Sequence, residues 1–317
     1  MTDAKFPVPQ THLISEADCL EKLKLRPRQA GPWLTYSNLL GGWTDSPLGS
    51  LVSLDDHGFH RGDGIFEALR VVHGKVYLFE SHFQRLQLSA DRIGLTLPTD
   101  FEHLKRIIEA GLHLWKSEEA LLRIFVTRGP GSFSTNPHES LGSQLFVVLM
   151  PMKPLNEEKF LAGVKVGRSH INVKDPWMAI TKSLNYLPNV MMKKEALERG
   201  LDFTVSFDHE GGLAESSTEN MIVITQDGFL AHPKLARVLR GCTMQRLFDL
   251  VEARKWLPVR REVHLSQNEL LSAQGLMMVG TTLDVISVIE FEGQPIPKSP
   301  WAAKMRDLIQ QDQKNGA

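Results

Sequence analysis

The chain has 317 residues, 42% apolar and 23% charged, with 36 lysines and arginines against 37 aspartates and glutamates. A net charge of −1 supplies no global field toward nucleic acid or an anionic membrane. No apolar run reaches the ~18 residues that a spanning helix needs.

The first residues, MTDAKFPVPQTH, lack the basic head and apolar stretch of a secretory signal. Cys19 and Cys242 are too few and too far apart for a disulfide framework or a metal-ligand spacing, so a reducing cytoplasm is the expected setting. Residues 1–32 mix prolines with a short amphipathic piece, SEADCLEKLKL, and read as an N-terminal extension. From Trp33 the pattern turns strand-like, with His73-Gly74-Lys75 as a hairpin turn. ESHFQRLQLSADRIG then takes helical spacing, with Phe83, Leu86, Ala90 and Ile93 on one stripe and Gly94 placed to end it. A second helix starts near Asp100, and two strands follow, LLRIFVTRG and SQLFVVLMP.

Two prolines and a charge cluster in PMKPLNEEKFL mark the expected boundary: a smaller α+β domain over 33–152, a linker over 153–163 and a larger α+β domain over 164–317. The larger part opens with the strand GVKVGRSHI and reaches Lys182. A helix follows, with Asn185 as its cap, Pro188 in its first turn and Gly200 at its end. DFTVSFD and NMIVITQ are expected to flank a turn at Gly211-Gly212, and QDG makes a further hairpin. CTMQRLFDLVEARKW is an amphipathic helix, GLMMVG a strand running into Thr281-Thr282, and VISVIEFEGQPI closes the core. The polar tail DQKNGA is expected to fray.

Four features could together receive an anionic, nitrogen-bearing ligand. Gly241-Cys242-Thr243 stands at a helix start, where free N–H groups and the positive dipole end favour an anion. Gly280-Thr281-Thr282 offers the same residue types after a strand. Arg85 sits beside the apolar stripe, where a guanidinium can grip an anion in bidentate fashion. Glu215, in GGLAESSTEN, emerges from a glycine turn toward a drier place where a carboxylate needs a partner. Each has a plainer reading alone: Thr243 as an N-cap, Gly280-Thr281 as a small-residue turn, Arg85 and Glu215 as surface charges. Lys182 alone reads as a snorkelling surface lysine. The cluster DDHGFHRGD tempts a metal reading, but its spacing matches no helical ligand pattern.

Taken in order, HRGDGIFEALR, HFQRLQLSA, TKSLNYLPNV, GGLAESSTEN, LRGCTMQR and VGTTLDVISVIE make the chain resemble the class IV aminotransferases from about Tyr36 to Pro300. The details HRG, TRGPGSF, KSLNYLPNV and GCT look most like the branch of plant-type D-amino-acid transaminases and aminodeoxychorismate lyases. The resemblance implies an α+β, two-domain fold-type IV enzyme with pyridoxal 5′-phosphate between its domains. Lys182 matches the lysine that forms the Schiff base with that cofactor. Arg85, Thr243 and Thr281 match its phosphate-binding positions, with Cys242 beside Thr243. Leu239 matches the leucine supporting one ring face, Glu215 the carboxylate at the pyridine nitrogen, and Tyr186 the tyrosine near the phenolic oxygen.

Two departures stand out. Met244 follows Thr243 where the family often has arginine, and Gly131–Asn136 lacks the Arg-x-His pair that holds the substrate carboxylate in the transaminases of bacilli. Arg70, Arg128 or backbone N–H groups are the expected substitutes, with Phe66 lining the substrate pocket. The implied activity is transamination between an amino acid, of D or branched-chain type, and a 2-oxo acid, by a homodimer. Aminodeoxychorismate lyase action and a non-catalytic ligand-binding protein on the same scaffold are the alternatives.

Overall fold

The computed structural model of the chain describes residues 13–25 and 33–316. Most of the expected N-terminal extension, including the stretch read for a secretory signal, lies outside the described residues. The part inside is helix α1 (Glu16–Lys24), where the Ser15 hydroxyl accepts from the Asp18 amide.

The strands β1 (Leu34–Ser37), β2 (Gly42–Thr44), β3 (Gly64–Val72), β4 (Lys75–Val76), β5 (Ala120–Thr127) and β6 (Gln144–Met150) form one sheet. Its order is β2-β1-β6-β5-β3-β4, antiparallel throughout. His73 and Gly74 both take left-handed backbone (φ 50° and 74°), the geometry that a two-residue hairpin turn requires. Helix α2 (His57–Arg61) precedes β3, and α3 (Phe79–Arg92) and α4 (Phe101–Leu114) lie over the sheet. Alternation in β3 sends Ile65, Leu69 and Val71 inward, against Leu86 and Ala90 of α3 and Leu104 and Ile108 of α4.

The expected linker contains a short helix, α5 (Glu157–Ala162). Beyond it come β7 (Val164–Arg168), β8 (Phe203–Phe207), β9 (Leu213–Ser216), β10 (Asn220–Ile224), β11 (Leu230–Pro233), β12 (Val259–Val263), β13 (Gly275–Gly280), β14 (Asp284–Phe291) and β15 (Gln294–Pro295). They form a mixed nine-stranded sheet, ordered β12-β11-β10-β13-β14-β7-β8-β9, with β15 paired to β14. Five helices accompany it: α6 (Pro176–Ala179), α7 (Leu187–Glu198), α8 (Cys242–Ala253), α9 (Gln267–Leu271) and α10 (Trp301–Gly316). Both faces of the sheet are covered. Ile222 and Ile224 of β10 pack with Leu247 and Phe248 of α8 and with Met305 and Ile309 of α10, whereas Met221 and Val223 join a core with Phe207 and Phe291. That double burial explains why β10 and β13 read as continuous apolar runs.

Three local expectations are corrected. The glycine turn at 211–212 joins β8 to β9, not to NMIVITQ, because the short strand Leu213–Ser216 pairs back first. Asn185 does not cap α7: Tyr186 occupies the cap position without a side-chain bond, and Asn185 Nδ2 donates to the Gly62 carbonyl instead. The tail does not fray over its described residues. α10 continues to Gly316, held where Asp312 accepts from Tyr77 Oη (2.6 Å) and from Arg246 Nε (2.8 Å), with Gln313 buried. No helix among the described residues is long and apolar enough to cross a membrane.

Candidate active site

Lys182 is placed by an extended segment that crosses from the second sheet to the first. Its carbonyl accepts from the Phe66 amide (3.0 Å), the Leu184 amide donates to the Gly64 carbonyl (2.8 Å), and Ser183 bridges to Ile65. Helix α3 grips the same segment, with Ser89 Oγ accepting from the Lys182 amide and Arg92 Nη1 donating to the Ile180 carbonyl. Gly64 permits this close approach, since a Cβ there would lie 2.7 Å from Leu184 Cδ1 and 2.7 Å from the Val126 carbonyl oxygen. The backbone of Lys182 is therefore a fixed mount.

The side chain keeps some exposure to the cleft, yet protein surrounds the amine. Nζ lies 4.5 Å from the centre of the Phe66 ring, and Tyr186 meets that ring edge-on with centroids 5.0 Å apart. No carboxylate among the described residues lies within ion-pair distance of Nζ, because every carboxylate nearby is held at longer range. Desolvation, reinforced by Arg85, lowers the amine to about 8. Burial, and then Glu215, push the Tyr186 phenol upward.

On one side of Lys182 stands Arg85. Its Nε and Nη2 donate to the two oxygens of Glu67 (2.7 and 2.6 Å), and Nη1 donates to the Arg240 carbonyl (2.9 Å). His82 Nδ1 donates to the same Glu67 carboxylate at 2.7 Å. Burial alone would raise Glu67, but the Arg85 guanidinium, backed by His82, holds its carboxyl far below the ordinary range. Cys242, the first residue of α8, lies against His82, and together with Glu67 it raises the imidazole despite burial.

On the other side stands Glu215. Its Oε1 accepts from the Leu239 amide at 3.3 Å, and no cation among the described residues pairs with it within 4.0 Å. Burial raises its carboxyl against the opposing pull of Lys174 and Lys182. Asn220 Nδ2 fastens the Leu239 carbonyl (2.9 Å), so the segment leading to α8 is fixed from both ends. Gly241 then packs on Asn220, where an added Cβ would come within 1.9 Å of Oδ1. No side chain caps α8, so its first N–H groups and the buried Thr243 remain for an outside acceptor. Thr281 sits half-buried in the turn between β13 and β14.

Lys182, Arg85, Tyr186, Glu215, Leu239, Cys242 and Phe66 are thus linked in one cluster, with Thr243 beside Cys242 at the start of α8. The two arginines expected at a substrate carboxylate are already engaged. Arg70 Nη1 donates to both oxygens of Asp284 (2.9 and 3.0 Å), and Arg128 makes a fork–fork pair with Asp63 (2.9 and 2.9 Å) plus bonds to the Gly94 and Ile93 carbonyls. These acceptors come from remote parts of the chain, which sequence spacing does not reveal. In DDHGFHRGD the side chains are engaged by other groups: Asp56 accepts from the Gly58 amide and Thr127 Oγ1, Asp63 takes Arg128, and His57 Nε2 donates to the Ser132 carbonyl while its ring meets His60 edge-on at 4.9 Å and its Nδ1 lies 3.9 Å from Asp63. Sequence reasoning missed Glu67, His82 and Asn220. An available signal was Glu67 itself, a carboxylate at an inward position of the alternating run IFEALRV.

The family model described as Amino-transferase class IV matches residues 64–291. The chloroplastic D-amino-acid transaminase of Arabidopsis thaliana is 29% identical over 315 residues, covering 96% of this chain and 83% of that one. The bifunctional aminodeoxychorismate lyase / D-amino acid transaminase of Mycobacterium tuberculosis is 26% identical over 282 residues, covering 82% and 92%. Among solved structures, the branched-chain aminotransferase of Thermoproteus uzoniensis with norvaline superposes with a TM-score of 0.82 at 21% identity, covering 90% of this chain and 96% of that one. That likeness carries the two-sheet fold, and the family match runs from β3 to the end of β14, over more than half of the chain: the chain belongs to the class IV aminotransferase family.

Proposed function

We propose that this pyridoxal 5′-phosphate-dependent aminotransferase holds its cofactor through Lys182 and moves amino groups between an amino acid and a 2-oxo acid. The observation that carries this reading is the pairing of a desolvated lysine amine with a carboxylate, Glu215, that has no cation of its own. Such a carboxylate suits a protonated ring nitrogen, so the residues present fit the cofactor.

When bound, the cofactor supplies an electron sink for the charge that develops at the substrate Cα. Glu215 keeps the proton on the ring nitrogen, and Leu239 supports one face of the ring. Arg85, Thr243, Thr281 and the open N–H groups of α8 hold the phosphate, so binding energy remote from the reaction fixes orientation. Lys182, with its amine lowered to about 8, takes and returns the proton at Cα near neutral pH. Tyr186, packed on Phe66, lines the same pocket. With Arg70 and Arg128 engaged elsewhere, the substrate carboxylate falls to backbone N–H groups such as those of the turn Thr281–Leu283. Residues 33–152 and 164–317 act as two domains flanking this site. Exposed Leu39, Leu40, Leu51, Leu54 and Phe59 support a homodimer, and two free cysteines suit the cytoplasm.

D-amino acids are the favoured substrates, since the Arabidopsis and mycobacterial relatives are both named as D-amino-acid transaminases. The second name also supports a lyase reading. Mixing the loaded enzyme with single D- and L-amino acids and following the cofactor absorbance separates the two. Spectral conversion by D-amino acids is expected. No conversion by any amino acid, alongside pyruvate release from aminodeoxychorismate, would replace transaminase by lyase.

A further inference from the structure

The phosphate corner contains an acid where attraction of an anion calls for none. Glu67 points inward from β3 beside Ile65 and Leu69 and has 0% exposure. A purely structural position there is served as well or better by a hydrophobic residue. Both of its oxygens are used: Oε1 by Arg85 Nε, Oε2 by Arg85 Nη2 and His82 Nδ1.

This arrangement dictates what Arg85 presents. A guanidinium has five N–H donors. Glu67 takes two and the Arg240 carbonyl takes one, so the two left over lie one on each terminal nitrogen. These remaining N–H groups, with Nη2 also 3.4 Å from His82 Nδ1, are what Arg85 has to offer an anion. We propose that Glu67 is a positioning residue: without touching the ligand, it orients Arg85 through two bonds and fixes the His82 ring through Nδ1, and so sets how tightly the cleft holds a dianionic phosphate. This rests on the cofactor reading above. The groups facing His82 are Glu67 from β3, Arg85 from its own helix and Cys242 from α8.

The sign of the effect separates positioning from field. Glu67→Gln keeps the shape and removes a negative charge. If only the field mattered, removing that negative charge would not weaken the binding of phosphate ligands. Positioning predicts weaker binding by about tenfold or more, because charge-assisted bonds to Arg85 are lost. The test uses the apoprotein with two probes, pyridoxal 5′-phosphate and 4′-deoxypyridoxine 5′-phosphate, which lacks the aldehyde and so reports the phosphate corner without Lys182. Wild type should bind both, with the deoxy probe weakening as pH rises through the titration of His82. Glu67→Gln should weaken both. His82→Gln should weaken the deoxy probe and lose that pH step, and it carries the test if Glu67→Gln does not fold. Variants that bind as wild type or more tightly, or an unchanged pH step in His82→Gln, overturn the inference alone. A wild-type protein that binds neither probe overturns the cofactor reading, and this inference with it.

Discussion

Glu67 and Glu215 flank the same lysine and have opposite electrostatic fates. Glu67 has two protein cations on its two oxygens and is held ionised far into acid. Glu215 has one long backbone bond, and burial drives it toward the neutral acid. A carboxylate whose partners come from the chain organises the chain. One left without a cation in a cleft is arranged for a charge that arrives with a ligand. On the reading proposed above, the two sides divide the work into holding and reacting.

The largest effect that can break this division is at Lys182 itself. Lys182→Ala should lower transamination by about 10³-fold or more, because the proton carrier at Cα is gone. The apoprotein should still melt cooperatively, since an amine held against desolvation contributes little to stability. Retained activity in a single-turnover assay would contradict the reacting role.

Next come the two carboxylates compared directly. Glu67→Gln should destabilise the fold by about 3 kcal/mol, the scale for breaking a buried pair. Glu215→Gln should leave stability near wild type while turnover falls on the order of 10²-fold. Denaturant unfolding and steady-state kinetics on both variants check the crossing. A Glu215→Gln protein that loses stability and keeps its turnover would erase the distinction. Smaller is Gly241→Ala, whose Cβ meets Asn220 Oδ1 at 1.9 Å; a loss of about 1–3 kcal/mol from overpacking is expected, with weaker phosphate binding.

The pH dependence of apoprotein stability is the finest of these tests. Glu67 has a depressed folded pKa, so its contribution is full above the unfolded value near ~4.3 and is lost as pH falls through the folded one. Glu215 has a raised folded pKa, so its contribution improves as pH falls. Lys182 titrates at about 8 in the fold and at ~10.4 unfolded, so the native state binds fewer protons between those values and stability rises with pH across that window. Lys182→Met should flatten that rise, measured as the thermal midpoint of the apoprotein from pH 7 to 11.

Much of the fold was legible because helix stripes such as Leu86/Ala90 and Met244/Leu247/Phe248/Val251 carry their own period. β9 and β12 escaped because they are short and bounded by turns, and α10 because its polar face hides the spacing of Met305, Leu308 and Ile309. Lys182 and Glu215 were singled out through their motifs, and the structure brings the two near each other. The commitments of Arg70 and Arg128 were not, because Asp284 lies 214 residues from Arg70 and Asp63 lies 65 residues from Arg128. Glu67 and His82 act through Arg85, and contacts of that kind become visible only once β3 and α3 are packed together.

The central claim is that Lys182, and no other amine, holds the cofactor. A second lysine provides the control. Lys174 Nζ lies 5.4 Å from the centre of the Tyr186 ring, donates to Asn189 Oδ1 at 3.2 Å and acts on Glu215. The direct measurement is borohydride reduction of the protein loaded with pyridoxal 5′-phosphate, followed by proteolysis and mass spectrometry. The pyridoxyl group should be found on the peptide containing Lys182 and be absent after Lys182→Ala. A group mapped to Lys174, or a protein that takes up none, would contradict the account.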